Sequence, residues 1–322
     1  MKKVAAILIY IFFITTQSKI RLISFAYDRP ELIPYFYNCL RKNLLDDFEI
    51  YIFNDASEDK YEKEIQCECN KLKINCIRVP QSIHKRKEIT YRVTDVIRYA
   101  LQNYGYKHND IIGLLDGDIF LIDKLNMREM LLKYDIVASM CHDGLTNWDF
   151  FWPGMIFFNP VNLPNLKDLF FGTLTILNGN VVSGYTNEVL AKNIFPEIKF
   201  HILDAGSGSY FYVKNNPILN IKKAPIFSIY EVMQFLHSNQ TSGITNYLIS
   251  FIENYDVEKL YPIQFTLDYK FLYYTNSSSK TFYGHLANYQ YYASELHHQL
   301  KTKYICDFLD KILLELEMED DK

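Results

Sequence analysis

Short runs of Ile, Leu, Val and Phe, each closed by polar residues, punctuate the chain from residue 20 onward. Between several of them the apolar positions recur every three or four residues. A run of the first kind reads as a strand buried on both faces, and the second spacing reads as a helix with one apolar stripe. "IRLISFAY", starting at Ile20, predicts a first strand, and "RPELIPYFYNCLRKNL" a helix with Pro30 near its start, where the missing N–H has no partner to lose. "FEIYIFNDAS" predicts a second strand that ends on Asn54 and Asp55, and after a polar stretch over 58–75 "NCIRVP" predicts a short third one. Val93, Val96, Ile97, Ala100 and Leu101 predict an amphipathic helix over 88–104 that feeds directly into "NDIIGLLDGD". Strand and helix alternate through this half, which predicts an α/β fold: a mostly parallel sheet flanked by helices. Farther on, "DIVASM" and "GMIFFN" read as strands and "NVVSGYTNEVLAKNIF" as a helix. "YICDFLDKILLELEMEDDK" reads as a closing helix with Ile305, Phe308, Leu309 and Ile312 on one face.

Composition narrows the class. Of 322 residues, 49% are hydrophobic and 22% charged, enough to bury a sizeable core. With no low-complexity linker and no repeat, a single domain over 19–322 is expected, its halves meeting near residue 125. A net charge of -4 argues against nucleic acid as a partner, because phosphate backbones need a basic face. The one dense basic cluster, "HKRK" at 84–87, reads as a solvated loop when taken alone.

The first residues differ from the rest. "MKK", the apolar "VAAILIYIFFITT" and then "QSK" have the layout of a secretory signal or short signal anchor over 1–18, too short for an ordinary membrane span. Such a segment implies the secretory pathway or cell envelope and an N-terminal membrane association; without it the chain is cytoplasmic. Asn239 and Asn276 then become glycosylation acceptors. Six cysteines permit disulfides without requiring them in a chain of this size, and "CEC" at Cys67 lacks the spacing of a zinc knuckle.

Chemistry concentrates at "IIGLLDGDIFLID", where two acids one residue apart close an apolar run. In an open α/β sheet the carboxyl ends of the strands form the ligand crevice. Alternate side chains of an extended segment share a face, so Asp116 and Asp118 can both reach one ion while Gly117 lets a ligand approach the backbone. Carboxylate oxygens select Mg²⁺ or Mn²⁺, commonly together with substrate phosphates.

This stretch, "LLDGDIFLIDKL", resembles the acid-x-acid signature of nucleotide-sugar glycosyltransferases of the GT-A fold, a Rossmann-like architecture. "ISFAYDRPEL" is similar to the family's opening strand and loop, which maps nucleotide contacts onto Ala26, Tyr27 and Asp28. "IYIFNDAS" resembles the second strand, whose terminal acid would be Asp55, although Asn54 and Ala56 depart from the family's acids and glycine there. "PGMIFFNP" resembles the strand after the metal motif in glycogenin-like members, and "FYGH" puts His285 where many members supply a further metal ligand.

The resemblance implies a nucleotide-binding half over 19–125 and an acceptor half over 126–322. It implies a nucleotide-sugar donor, in the first instance a UDP-sugar, and a glycan or protein acceptor. The metal would be Mn²⁺ or Mg²⁺, held by Asp116, Asp118 and His285, with Gly117 and the basic Arg86 and Arg92 near the diphosphate. In "NWDFFWPG", Trp148, Trp152 and Gly154 would shape the sugar and acceptor site, since a flat aromatic face suits a sugar ring. Asp204 in "LDAGSGS", then Asp149, are candidates to take the acceptor's proton. "PGMIFFNP" leans towards retention of anomeric configuration, and "FAYDRPEL" towards the inverting families.

Two other classes share part of the signal. A haloacid-dehalogenase-type phosphatase also sets two acids one residue apart after a buried strand, but on its first strand. A non-catalytic sugar- or nucleotide-binding protein could use the same fold.

Overall fold

The computed structural model describes residues 19–84, 86, 89–121, 124–184 and 186–224, the backbone of 226–228 and 271–273, and Asp310. Segment 1–18, His285, Asn239, Asn276 and, apart from Asp310, the expected closing helix lie outside the described residues. No helix among the described residues is long and apolar enough to cross a membrane.

Among the described residues the strands are, in chain order, β1 (Ile20–Ala26), β2 (Phe48–Asn54), β3 (Asn75–Arg78), β4 (Ile111–Asp116), β5 (Ile119–Leu121), β6 (Ile136–Asp143), β7 (Trp148–Phe158), β8 (Leu174–Leu177), β9 (Asn180–Ser183), β10 (Val189–Ala191), β11 (Phe200–Ile202), β12 (Ile221–Lys223), β13 (Ile226–Ser228) and β14 (Phe271–Tyr273). The helices are α1 (Ile33–Asn43), α2 (Asp59–Leu72), α3 (Ile89–Ala100), α4 (Met127–Leu131) and α5 (Ser209–Asn215).

The central sheet runs β12-β6-β7-β4-β1-β2-β3. β1 pairs parallel with both β2 and β4, and β2 with β3. β7 is the reversed strand, antiparallel to β4 and β6. Two apolar layers explain why the strands read as continuous hydrophobic runs. On one face Leu22, Ile52 and Leu115 meet Phe36 and Leu40 of α1 and Ile65 and Cys69 of α2. On the other, Ile23, Phe53 and Leu114 meet Val96, Ile97 and Ala100 of α3 and Tyr212 of α5.

Two expectations change. The polar stretch over 58–75 is the helix α2, whose narrow stripe of Tyr61, Ile65, Cys69 and Leu72 is masked by charged neighbours. The helix expected over 180–195 is instead a pair of strands, β9 and β10. Asn178 and Asn187 adopt left-handed conformations (φ 47° and 58°) at the turns either side of β9, and the branched Val181 and Val182 pack as strand residues over a third apolar cluster.

The outer halves of β6 and β7 continue past the sheet as a hairpin, with Asp143 opposite Trp148 and a turn over 144–147. A small sheet, β13-β14-β5, brings Tyr273 opposite Ile119, next to Asp118.

Candidate active site

Register builds the site. Across the parallel pairs Phe25 faces Asp116 and Ala26 faces Asn54, so the ends of β1, β2 and β4 share one edge of the sheet. β7 enters from that edge with Met155 opposite Leu115, which leaves Gly154 beside Asp116. A Cβ on Gly154 would stand 2.7 Å from Oδ2 of Asp116 and 2.6 Å from the Trp152 ring. A Cβ on Gly117 would stand 2.6 Å from the Phe25 carbonyl oxygen. Both glycines are therefore demanded by close approach.

A cleft of about 250 Å³ opens at this edge. Ser24, Ala26, Tyr27 and Arg29 line one side, Asp116, Gly117 and Asp118 another, and Leu32, Ile33 and Phe36 form an apolar wall. Asp116 and Asp118 are each partly exposed to it. Protein crowding their carboxylates disfavours the charged form. Burial, with the charge of Asp204 adding to it, pushes Asp116 up to about 7. Burial together with the charge of Asp116 pushes Asp118 up to about 8, against the pull of Arg29. Asp204 keeps an open face, yet the protein around its carboxylate raises it too, while the Ala205 N–H donates to its Oδ1 at 2.7 Å. Three carboxylates thus converge, with Arg29 drawing on Asp118, and a bound cation would favour the charged form of each.

Among the described residues no group of three or more His, Cys, Asp or Glu side chains is arranged to hold a metal. The donor set here is the pair Asp116 and Asp118, all oxygen. That suits a hard cation whose remaining positions go to water and substrate phosphates.

Beside the cleft lies a second polar cluster. Asp55 is buried, and its backbone N–H donates to Ala26 at 2.9 Å. Its Oδ1 meets Nε2 of His84 at 2.8 Å and Nε2 of Gln81 at 3.0 Å, and its Oδ2 meets Nη2 of Arg92 at 3.0 Å. Both carboxylate oxygens are engaged by the protein, so Asp55 holds Arg92 in place. The Arg92 guanidinium lies 5.1 Å over the ring of Tyr27, which is 44% exposed. Asp28 sits outside the cleft lining in a left-handed conformation and accepts from the Ser57 N–H at 2.8 Å and from its hydroxyl.

Other expected site residues lie apart from the two acids. Trp148 is buried at 7% exposure and stacks on Tyr210 with ring centroids 3.9 Å apart, which makes it core, not an open platform. Asp149 points outward on the hairpin and pairs with His142 at 2.9 Å and Lys223 at 3.4 Å; these partners hold it below the ordinary carboxylate value. Arg86 packs over Tyr91 and donates to Asn187. Gly154 does lie against Asp116, with the Trp152 ring on it as well.

Two residues of the cleft, Ser24 and Arg29, were not singled out from sequence. Ser24 is fully buried at the cleft, and its hydroxyl meets no partner among the described residues. Nothing in "LISFAY" marks it. Arg29 follows Asp28 directly, and its charge was the available signal. His84 belongs to the basic "HKRK", yet its side chain is only 8% exposed, held between Asp55 and, at 3.6 Å, Asp95. A histidine with two buried carboxylates to meet leaves the solvent, which a reading of local charge does not reveal.

No protein-family model matches the sequence, and no curated protein matches it. Among solved structures, the mannosyltransferase PcManGT from Pyrobaculum calidifontis, in complex with GDP-Man and Mn2+, is similar at 12% identity over 45% of this chain and 45% of its own, with a TM-score of 0.33. The bifunctional glycosyltransferase WbbM in its apo form is similar at 10% over 80% of this chain and 45% of its own, at 0.40. An active-site mutant of LgtC is similar at 10% over 79% and 86%, also at 0.40. The chain spans less than half the length of PcManGT and WbbM. At such values the likeness concerns the path of the chain and carries no argument about function.

Proposed function

We propose that this chain is a metal-dependent glycosyltransferase that moves a sugar from a nucleotide diphosphate donor to a glycan or protein acceptor. One observation carries the reading: the carboxylates of Asp116 and Asp118 meet at the carboxyl edge of a parallel sheet, open to a cleft, in surroundings that disfavour their charge. A divalent cation there would neutralise the negative charge that develops on a departing diphosphate. The residues of the chain do the rest. Tyr27, under Arg92, offers a flat face to a base, and Arg92, fixed by Asp55, keeps a positive charge at the rim. Gly117 and Gly154 leave room for the donor, with Trp152 beside them as a wall for a sugar ring. Asp204 is the carboxylate placed to accept a proton from an acceptor hydroxyl, since a raised value suits a base working near neutrality. The exposed Asp149, engaged by His142 and Lys223, is not given that role.

The phosphatase reading is not favoured, because Asp116 closes the fourth of the described strands, inside the sheet between β1 and β7.

The test is calorimetric titration of nucleotide diphosphates and their sugars, UDP and GDP forms first, with Mn²⁺ and with chelator, repeated on Asp118→Asn. Binding that needs both the metal and Asp118 supports the reading and selects donors for turnover assays. Metal-independent binding, or none to any nucleotide, overturns it.

A further inference from the structure

The geometry points to a dithiol switch site at Cys69 and Cys76, two thiols that a small disulfide such as glutathione disulfide converts to an internal disulfide joining α2 to β3. Cys69 stands in the last turn of α2, and the chain then reverses. Lys73 takes a left-handed conformation, and the N–H groups of Lys73 and Ile74 return to the end of the helix, that of Ile74 reaching the Cys69 carbonyl at 2.9 Å. This turn delivers Cys76 to the second position of β3, the edge strand of the sheet. Cys69 is fully buried in the apolar layer beneath α2, and Cys76 is partly exposed and packed on the same layer. The two thiols are near enough for each to bear on the other's ionisation.

Their surroundings divide the roles. The Cys69 thiol, helped by Asn54 and Arg78, holds Cys76 below the ordinary thiol value against the effect of burial. Cys69 itself is raised, first by Cys76 and then by burial. Cys76, the thiol that reaches solvent, is therefore the entering nucleophile, and the fully buried Cys69 the resolving thiol. The Cys76 thiolate attacks one sulfur of glutathione disulfide, forming a mixed disulfide and releasing one glutathione. Cys69 gives up its proton and attacks the Cys76 sulfur, releasing the second glutathione. The protein dithiol loses two electrons and two protons, and the glutathione disulfide gains them as two thiols.

Among the described residues the other thiols do not compete on these terms, Cys141 being far along β6 and pushed up to about 12. Cys39 is fully buried in the same layer and pushed up to about 12, and Cys67 projects from the exposed side of α2.

The experiment equilibrates the full chain in glutathione buffers of graded ratio, quenches with acid, alkylates, digests and weighs the peptides. The expected product joins the peptide carrying Cys69 to the one carrying Cys76, lighter by two hydrogens. Closing so short a loop is expected to raise Tm by about 5 °C, a rise absent in Cys76→Ser. In Cys69→Ala, Cys76 is expected to stop at the glutathione mixed disulfide. Full alkylation of both thiols in oxidising buffer, or a bond from Cys76 to Cys67, would overturn the proposal. Because the readout is mass and melting, its failure is separate from any failure of donor binding.

Discussion

Gly154 lies so close to Asp116 that a single added carbon would stand 2.7 Å from the Oδ2 of the acid. The two residues are 38 positions apart in the sequence and are neighbours because β7 runs back along β4. Gly154→Val is expected to weaken Mn²⁺ binding by about tenfold or more, as changes around metal ligands do. Overpacking against Trp152 should at the same time lower stability by about 1–3 kcal/mol. A manganese titration beside a thermal melt separates the two effects. Unchanged metal affinity in a folded variant would break the link between Gly154 and the carboxylate.

Protonation gives a second test. Asp116 and Asp118 sit at about 7 and about 8 in the fold, against 3.8 ordinarily. Between those limits the folded chain holds protons that the unfolded chain has released, so stability falls as pH rises from about 4 to 8. In chelator, Tm is expected to be higher at pH 5 than at pH 8. Mn²⁺ at pH 8 should recover much of the difference, and Asp118→Asn should flatten the slope. A Tm that climbs with pH in chelator would contradict the placement of these groups.

Asp55 sits among His84, Gln81 and Arg92 with its side chain 7% exposed. Removing one member of a buried ionic cluster strands the others, so Asp55→Ala is expected to cost about 3–5 kcal/mol in urea unfolding. Arg92→Ala, at 22% exposure, should cost less and act chiefly on nucleotide affinity. Equal stability losses would mean that the arginine serves the core and not the rim.

The two tryptophans should separate cleanly. Trp148→Ala removes a buried ring stacked on Tyr210 and is expected to cost about 3–5 kcal/mol. Trp152→Ala should be milder in stability and should reduce donor or acceptor binding. Circular dichroism melts and a binding titration on the two variants suffice to check this.

Much of the cleft edge was legible because parallel strands write themselves as uninterrupted apolar runs: Ala26 and Asp116 close such runs and Asp55 follows one directly. The adjacency of Asp116 and Gly154 was not, since it depends on which strand pairs with β4 and in which direction. The role of His84 was hidden because it requires Asp55 and Asp95, brought from β2's end and from α3. Helix α2 escaped because one narrow stripe is enough to seat a helix that is otherwise solvated. Trp148 and Trp152 look alike in sequence, and an even spacing of four residues along β7 does not by itself tell the buried ring from the partly buried one beside Gly154.

The reversed strand β7 also bears on how the molecule can change. Its inner half is locked in register against β4, while its outer half and β6 form a hairpin that seats Trp148 and Phe150 in the third apolar cluster and carries an exposed turn at 144–147 away from that ladder. Residues added or lost at the tip lengthen or shorten a projection without sliding Gly154 past Asp116. A chain built this way can remodel what it presents to large molecules outside while the spacing of its inner groups stays fixed, so variation in reach and constancy of chemistry are assigned to different ends of one strand.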